Sequence, residues 1–131
     1  MTPFEPVPVH VELVAKVVVD AAYGVHKALG PGLLESVYEV CLAHELRQRE
    51  LVVATQVALP VVYDGAKLDA GLRLDMLVAD CLIVEVKSVE AMNLVFKAQL
   101  LTYLKLSGRR LGLLINFNVP VIKNGIKRAV L

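Results

Sequence analysis

The chain has 131 residues, room for one domain over 1–131 with one core and too little for two. Apolar residues make up 56% and mean hydropathy is +0.61, which excludes a largely disordered chain and predicts that a partner or a second copy, as in a dimer, covers part of the apolar surface. Fourteen Lys+Arg against 13 Asp+Glu leave a net charge of +1, so no global field draws the chain onto a polyanion, and 5% aromatic residues without Trp argue against base stacking.

Met1–Pro8 carries prolines at 3, 6 and 8 and no basic run, so it reads as a short extended N-terminal arm over 1–8 rather than a signal peptide. Val11, Val14, Val17/Val18, Ala21/Ala22, Val25 and Ala28/Leu29 recur at helical spacing, and Gly30-Pro31-Gly32 stops that helix. A second helix is expected over Leu33–Glu50, with Leu34, Val37/Tyr38, Cys41/Leu42 and Glu45/Leu46 as its inner stripe. Period two then takes over. Leu51–Val57 and Leu59–Tyr63 read as strands, Pro60 putting the second at an edge or bulge, and Asp64-Gly65 reads as a hairpin turn. Leu72–Val78 and Leu82–Lys87 are strands around Ala79-Asp80-Cys81. Met92–Leu106 is a helix with Val95, Ala98/Leu101 and Leu104 as packing positions, Leu111–Phe117 is a strand, and Gly125–Leu131 is a last short strand. The fold class is mixed α/β, a central sheet with an antiparallel meander flanked by helices. The longest charge-free run, Leu51–Tyr63, has 13 residues and contains Gln56 and Pro60, so no membrane span is expected. Cys41 and Cys81 form no CxxC pair; two free thiols fit a reducing, cytoplasmic setting.

Charge inside the apolar strand pair Leu72–Lys87 carries the candidate chemistry. Alternation puts Leu72, Leu74, Met76 and Val78 on one face and Arg73, Asp75 and Leu77 on the other; in the partner strand Leu82, Val84 and Val86 oppose Ile83, Glu85 and Lys87. Matching apolar to apolar places Asp75, Glu85 and Lys87 on a common face. A two-residue turn at Asp80-Cys81 would oppose Asp75 to Val86 and spoil the match, so a three-residue loop or a bulge is expected. Two carboxylates and an ammonium on a buried face are costly unless they do something. A hard divalent cation relieves the carboxylate repulsion, and Mg2+ suits two carboxylates, the Val86 carbonyl and waters, with Mn2+ as a substitute. Lys87, one pleat past Glu85, can hold a water next to the metal, a set that suits attack on a phosphodiester. Alone, an Asp-(nine residues)-Glu-x-Lys spacing more often marks a surface ion pair. Polar companions flank it: Glu35 in the first turn of the second helix with Tyr38 one turn on, and Gln99 with Tyr103 four apart on the helix that follows. Glu35 also has an ordinary reading as an acid favoured at a helix N-terminus, Gln99 as a surface amide, and Tyr38 and Tyr103 as core.

Gly32-Leu33-Leu34-Glu35-Ser36-Val37-Tyr38 resembles the signature of the GxxExxY protein family, a branch of the PD-(D/E)xK nuclease superfamily. Arg73-Leu74-Asp75, Val84-Glu85-Val86-Lys87, Gln99-Leu100-Leu101-Thr102-Tyr103-Leu104 and Leu114-Ile115-Asn116-Phe117-Asn118 match in order, over about Val11–Leu131. The resemblance implies a restriction-endonuclease-like core. By position it makes Glu35, Asp75 and Glu85 metal ligands, Lys87 the catalytic lysine, and Gln99 and Tyr103 the supporting helix motif. One departure stands out: relatives often place a His and an acidic residue just before the Gln, where this chain has Phe96-Lys97-Ala98.

The reading is a Mg2+-dependent nuclease-like phosphodiesterase acting on nucleic acid, DNA ahead of RNA. The alternatives are a catalytically silent nucleic-acid- or protein-binding module on the same fold, and a hydrolase of small nucleotides. His26 is a remote metal candidate and, more simply, a helix-end histidine near terminal carbonyls. Lys105, Arg109, Arg110, Lys123, Lys127 and Arg128 are candidates for a basic rim or an ordinary solvated surface.

Overall fold

The computed structural model describes residues 5–131. The first four residues of the expected N-terminal arm lie outside the described residues, and Glu5–Pro8 carry no regular element. Helix α1 spans Val9–Leu29 and α2 Glu35–Gln48. Strands follow as β1 (Val53–Ala58), β2 (Val61–Tyr63), β3 (Ala66–Leu68), β4 (Arg73–Val78) and β5 (Leu82–Lys87). Helix α3 (Leu94–Ser107) precedes β6 (Leu111–Asn116), a 3-10 turn (Ile122–Gly125) and β7 (Ile126–Val130).

The main sheet runs β1-β4-β5-β6-β7, antiparallel except for the β5–β6 pair, which is parallel and joined through α3. β5 and β6 are apolar except at their carboxyl ends, Glu85, Lys87 and Asn116, because both faces of the sheet are covered there. On one face Val84, Val86, Leu113 and Ile115 pack against Val18, Ala22 and Val25 of α1 and Tyr38, Leu42 and Leu46 of α2. On the other, Ile83 and Leu114 pack against Leu100, Tyr103 and Leu104 of α3. The mixed α/β class, the meander and the flanking helices are therefore as the sequence indicates, and the architecture is that of a restriction-endonuclease-like core.

Helix ends follow local chemistry. The Gly30 N–H at φ +69° returns to His26 O and closes α1. The Asn93 side chain accepts the Val95 N–H at the start of α3, and left-handed Gly108 ends it. Phases are less regular. Leu34, expected on the inner stripe of α2, is 74% exposed and precedes the helix, while Glu45 pairs with Arg49 at the surface. In α3 the packing residues are Leu100, Tyr103 and Leu104, whereas Val95 is 57% exposed. That helix is apolar around most of its girth, so spacing alone does not set its phase.

Asp64-Gly65 does turn a hairpin, between β2 and a short strand β3 that spacing misses because Ala66, Lys67 and Leu68 are all exposed. His26 bonds not to its own helix but to the Val119 carbonyl (2.7 Å), tying α1 to the turn after β6. That turn is tightly closed: a Cβ on Gly125 would sit 2.1 Å from the Asn116 carbonyl oxygen. Gly125→Ala is expected to destabilise the fold by about 3 kcal/mol, the upper end of overpacking costs, read as a lower midpoint in a thermal melt.

Candidate functional site

Among the described residues the buried polar or charged side chains are Glu85 (6% exposed) and Asn116 (2%). Glu85 lies near the C-terminal end of β5 and Asn116 ends β6, so the polar interior of the sheet is confined to the carboxyl edge of the parallel pair. In open α/β sheets that edge is where ligands bind.

The β4–β5 register decides what meets Glu85. Val78 pairs with Leu82, leaving Ala79, Asp80 and Cys81 as the three-residue loop expected from the apolar match. Counting back, Asp75 stands opposite Glu85, but regular pairing ends at Met76–Val84. Beyond it the Asp75 carboxylate takes the place of backbone and accepts the Val86 N–H (Oδ2, 2.8 Å). β5 goes on pairing with β6 as far as Lys87–Asn116. The sheet thus parts at the Asp75–Glu85 pair.

On the other side of Asp75 stands Gln56 of β1, in the left-handed region at φ +51° between the pairs Thr55–Met76 and Val57–Leu74. Here both strands change faces. Val53 and Met76 pack toward α1 and α2, whereas Val57 and Leu74 pack toward α3. Strict alternation would keep Leu72 and Leu74 with Met76 and Val78; the reversal at Gln56 and Asp75 breaks that rule. Asp75 consequently acts on groups from both layers, its charge adding to the burial that raises the pKa of Glu39 on α2 and of Tyr103 on α3.

The electrostatics are those of an uncompensated acid pair. Burial pushes the Glu85 carboxyl up to about 9, the side chain and charge of Asp75 add to the rise, and a hydrogen bond with the Asp75 backbone and the charge of Lys87 oppose it. Glu85 Oε1 is the one buried side-chain nitrogen or oxygen among the described residues without a hydrogen-bond partner. Partial burial also raises Glu39, a Gln56 hydrogen bond (2.8 Å) opposes this, and Asp75 and Glu35 add to it. Burial raises Tyr103, followed by the charges of Glu85 and Asp75.

The remaining sequence candidates fall as follows. Lys87 is half-buried, makes no ion pair among the described residues, and sets its ammonium 4.7 Å from the centre of the Phe96 ring. Tyr103 is buried beside the acid pair, and Gln99 is exposed one turn earlier. Glu35 is exposed at the first position of α2 and is felt by Glu39. Tyr38 is core: its hydroxyl donates to Gly30 O (2.6 Å) and accepts the Leu33 N–H (3.1 Å), and its ring stacks on Phe117. No group of three or more His, Cys, Asp or Glu among the described residues is drawn together to hold an ion. The acid pair itself still suits a hard cation, since it offers an orphaned carboxylate oxygen, a second carboxylate and the adjacent Val86 carbonyl. Of the basic-rim candidates, Arg109 binds Asp80 at the far end of the β4–β5 hairpin, Arg110 binds the Leu131 and Glu5 carbonyls, and Arg128 pairs with Glu12.

A family model described as PD-(D/E)XK nuclease superfamily matches residues 12–129. The chain belongs to the PD-(D/E)XK nuclease superfamily. No curated protein and no solved structure matches the chain significantly. Membership in a nuclease superfamily points to phosphodiester chemistry on nucleic acid, and its nucleases generally use divalent metals. No helix among the described residues is long and apolar enough to cross a membrane.

Several supports of this candidate site in the PD-(D/E)XK chain escape a reading by spacing. Asn116 accepts the Val89 and Asn118 N–H groups and donates to Val89 O, fixing the chain as it leaves β5. The Ser88 hydroxyl donates to Leu33 O (2.6 Å), drawing the start of α2 to that edge. Glu39, one turn after Glu35, and Gln56, the lone amide in a charge-free run, were visible as isolated polar residues. Their meeting across α2 and β1 was not.

Proposed function

We propose that this chain is a nuclease of the GxxExxY branch that hydrolyses phosphodiester bonds in nucleic acid, DNA ahead of RNA as the expected substrate, with Mg2+ as cofactor and Mn2+ as a substitute. The observation that carries the reading is the Asp75–Glu85 pair, half-buried and buried respectively, with an unpartnered Glu85 oxygen at the sheet's carboxyl edge. Asp75, Glu85 and the Val86 carbonyl would hold the ion. Two carboxylates and a carbonyl leave room for the waters that Mg2+ retains. Bound there, a divalent cation neutralises the acid pair and polarises a phosphodiester oxygen.

The protein's own groups do the rest. Lys87 donates hydrogen bonds to the attacking water and offsets charge gathering on the phosphoryl oxygens. Glu35, exposed at the start of α2, acts at longer range through water. Gln99 contacts the substrate backbone, and Tyr103 packs beside the pair and limits its access to water. The products are a phosphate end and a hydroxyl end. A cytoplasmic homodimer completes the proposal, supported by two free thiols and by exposed Leu29 and Val40, which line an apolar groove of about 330 Å3 between α1 and α2.

The tied arginines far from the acid pair favour one second reading, a silent binding module. Incubation with linear and circular DNA, RNA and dinucleotides, with Mg2+, Mn2+ or chelator, separates the possibilities. Cleavage of DNA that chelator abolishes supports the proposal. Binding without cleavage supports the module, and turnover of dinucleotides alone supports a small-nucleotide hydrolase.

A further inference from the structure

We infer that Phe96 is a positioning residue for Lys87, its ring holding the ammonium away from the acid pair with its hydrogen-bond donors free. The inference rests on the nuclease reading above for its kinetic consequence, but not for its geometry. The Lys87 nitrogen lies 4.7 Å from the ring centre, inside the distance over which an aromatic face attracts a cation. Lys87 makes no ion pair with Glu85 or Asp75, although Glu85 is two residues away and Asp75 faces Glu85.

Both partners are anchored. Lys87 closes the paired part of β5, opposite Asn116, and its carbonyl accepts the Phe117 N–H. Phe96 is the third residue of α3. Its N–H bonds Asn93 O, and the Asn93 side chain caps the same turn. The ring packs against the apolar cluster under α3. A lysine stem is flexible, and beside an acid pair its ammonium would ordinarily fold back onto the acidic oxygens. That collapse would occupy the oxygens a cation needs and use up the ammonium's donors. A ring accepts no conventional hydrogen bond, so the contact holds the charge while all three N–H groups stay available to a water or a phosphate.

The test compares the wild type with Phe96→Leu, which keeps an apolar side chain, and Phe96→Trp, which keeps an aromatic face. The first readout is the Lys87 ε-methylene NMR resonance, assigned with Lys87→Arg. The second is kcat and KM for DNA cleavage with Mn2+. Expected are an upfield ring-current displacement of the Lys87 signal in the wild type and its loss in Phe96→Leu. In that variant kcat should fall roughly two- to thirtyfold, the range such a contact carries, with KM little changed. Phe96→Trp should restore both. A Lys87 resonance at the ordinary lysine position in the wild type overturns the inference. So does an unaltered kcat in Phe96→Leu, or a Trp variant no better than Leu. If the wild type cleaves no phosphodiester, the nuclease reading falls. The positioning claim then stands on the upfield resonance, or falls with its absence.

Discussion

Lys87→Ala is expected to lower the rate of DNA cleavage by about two to four orders of magnitude, the range of a positioned proton-transfer or water-orienting group, while cation binding stays close to wild type. The asymmetry follows from the surroundings of Lys87. Its ammonium is held by a ring and not by the carboxylates, so its removal strips no ligand from the acid pair. Two smaller effects oppose one another. Losing a positive charge lessens repulsion of an incoming cation, but it also removes the charge that favours ionised Glu85. Single-turnover cleavage beside a calorimetric Mn2+ titration reads both quantities. An active variant, or one that has lost cation binding, contradicts the role assigned to Lys87.

Glu85→Gln is expected to stabilise the protein without divalent cations, and increasingly so as pH rises. The folded-state carboxyl titrates at about 9 against an ordinary value of 4.5. Between those values the folded chain binds a proton that the unfolded chain has released, so stability falls with rising pH. The contribution is fully present below pH ~4.5 and lost by pH ~9. A Gln amide has no such titration and can donate to Asp75. At pH 7 the variant should gain about 3 kcal/mol, or roughly 10 °C in melting temperature. The gain should vanish near pH 4. Added Mg2+ should nearly close the gap at pH 7, since an ion at a hundred times its dissociation constant stabilises the wild type by about 2.7 kcal/mol and the variant very little. Melts across pH with and without Mg2+ check this; a Glu85→Gln protein less stable than wild type at pH 8 would mean the carboxylate is structurally satisfied.

Much of this was legible because burial leaves periodic traces. The valines and alanines of α1, the apolar runs Leu82–Val84 and Leu111–Ile115, and the loop length at Ala79–Cys81 all follow from covering both faces of one sheet. Asp75, Glu85 and Lys87 stood out for the same reason, as charges inside sequence that otherwise reads as buried. Period two failed where the backbone departs from a regular strand. Gln56 at φ +51° and the parting at Asp75 send Leu74 to the opposite layer from Met76, and no residue type announces that reversal. The β3 strand left no trace because it buries nothing. Glu39 with Gln56, and Lys87 with Phe96, meet only once α2 and α3 have packed on their faces of the sheet.

The most direct test of the acid pair as a cation site is the proton released when Mn2+ binds, measured by calorimetry at pH 8 in two buffers of different ionisation enthalpy. A Glu85 carboxyl that is mostly protonated at that pH must give up its proton to bind the ion, so about one proton per Mn2+ is expected, and none in Glu85→Gln. Binding without proton release, or binding that survives both Asp75→Asn and Glu85→Gln, would contradict the site.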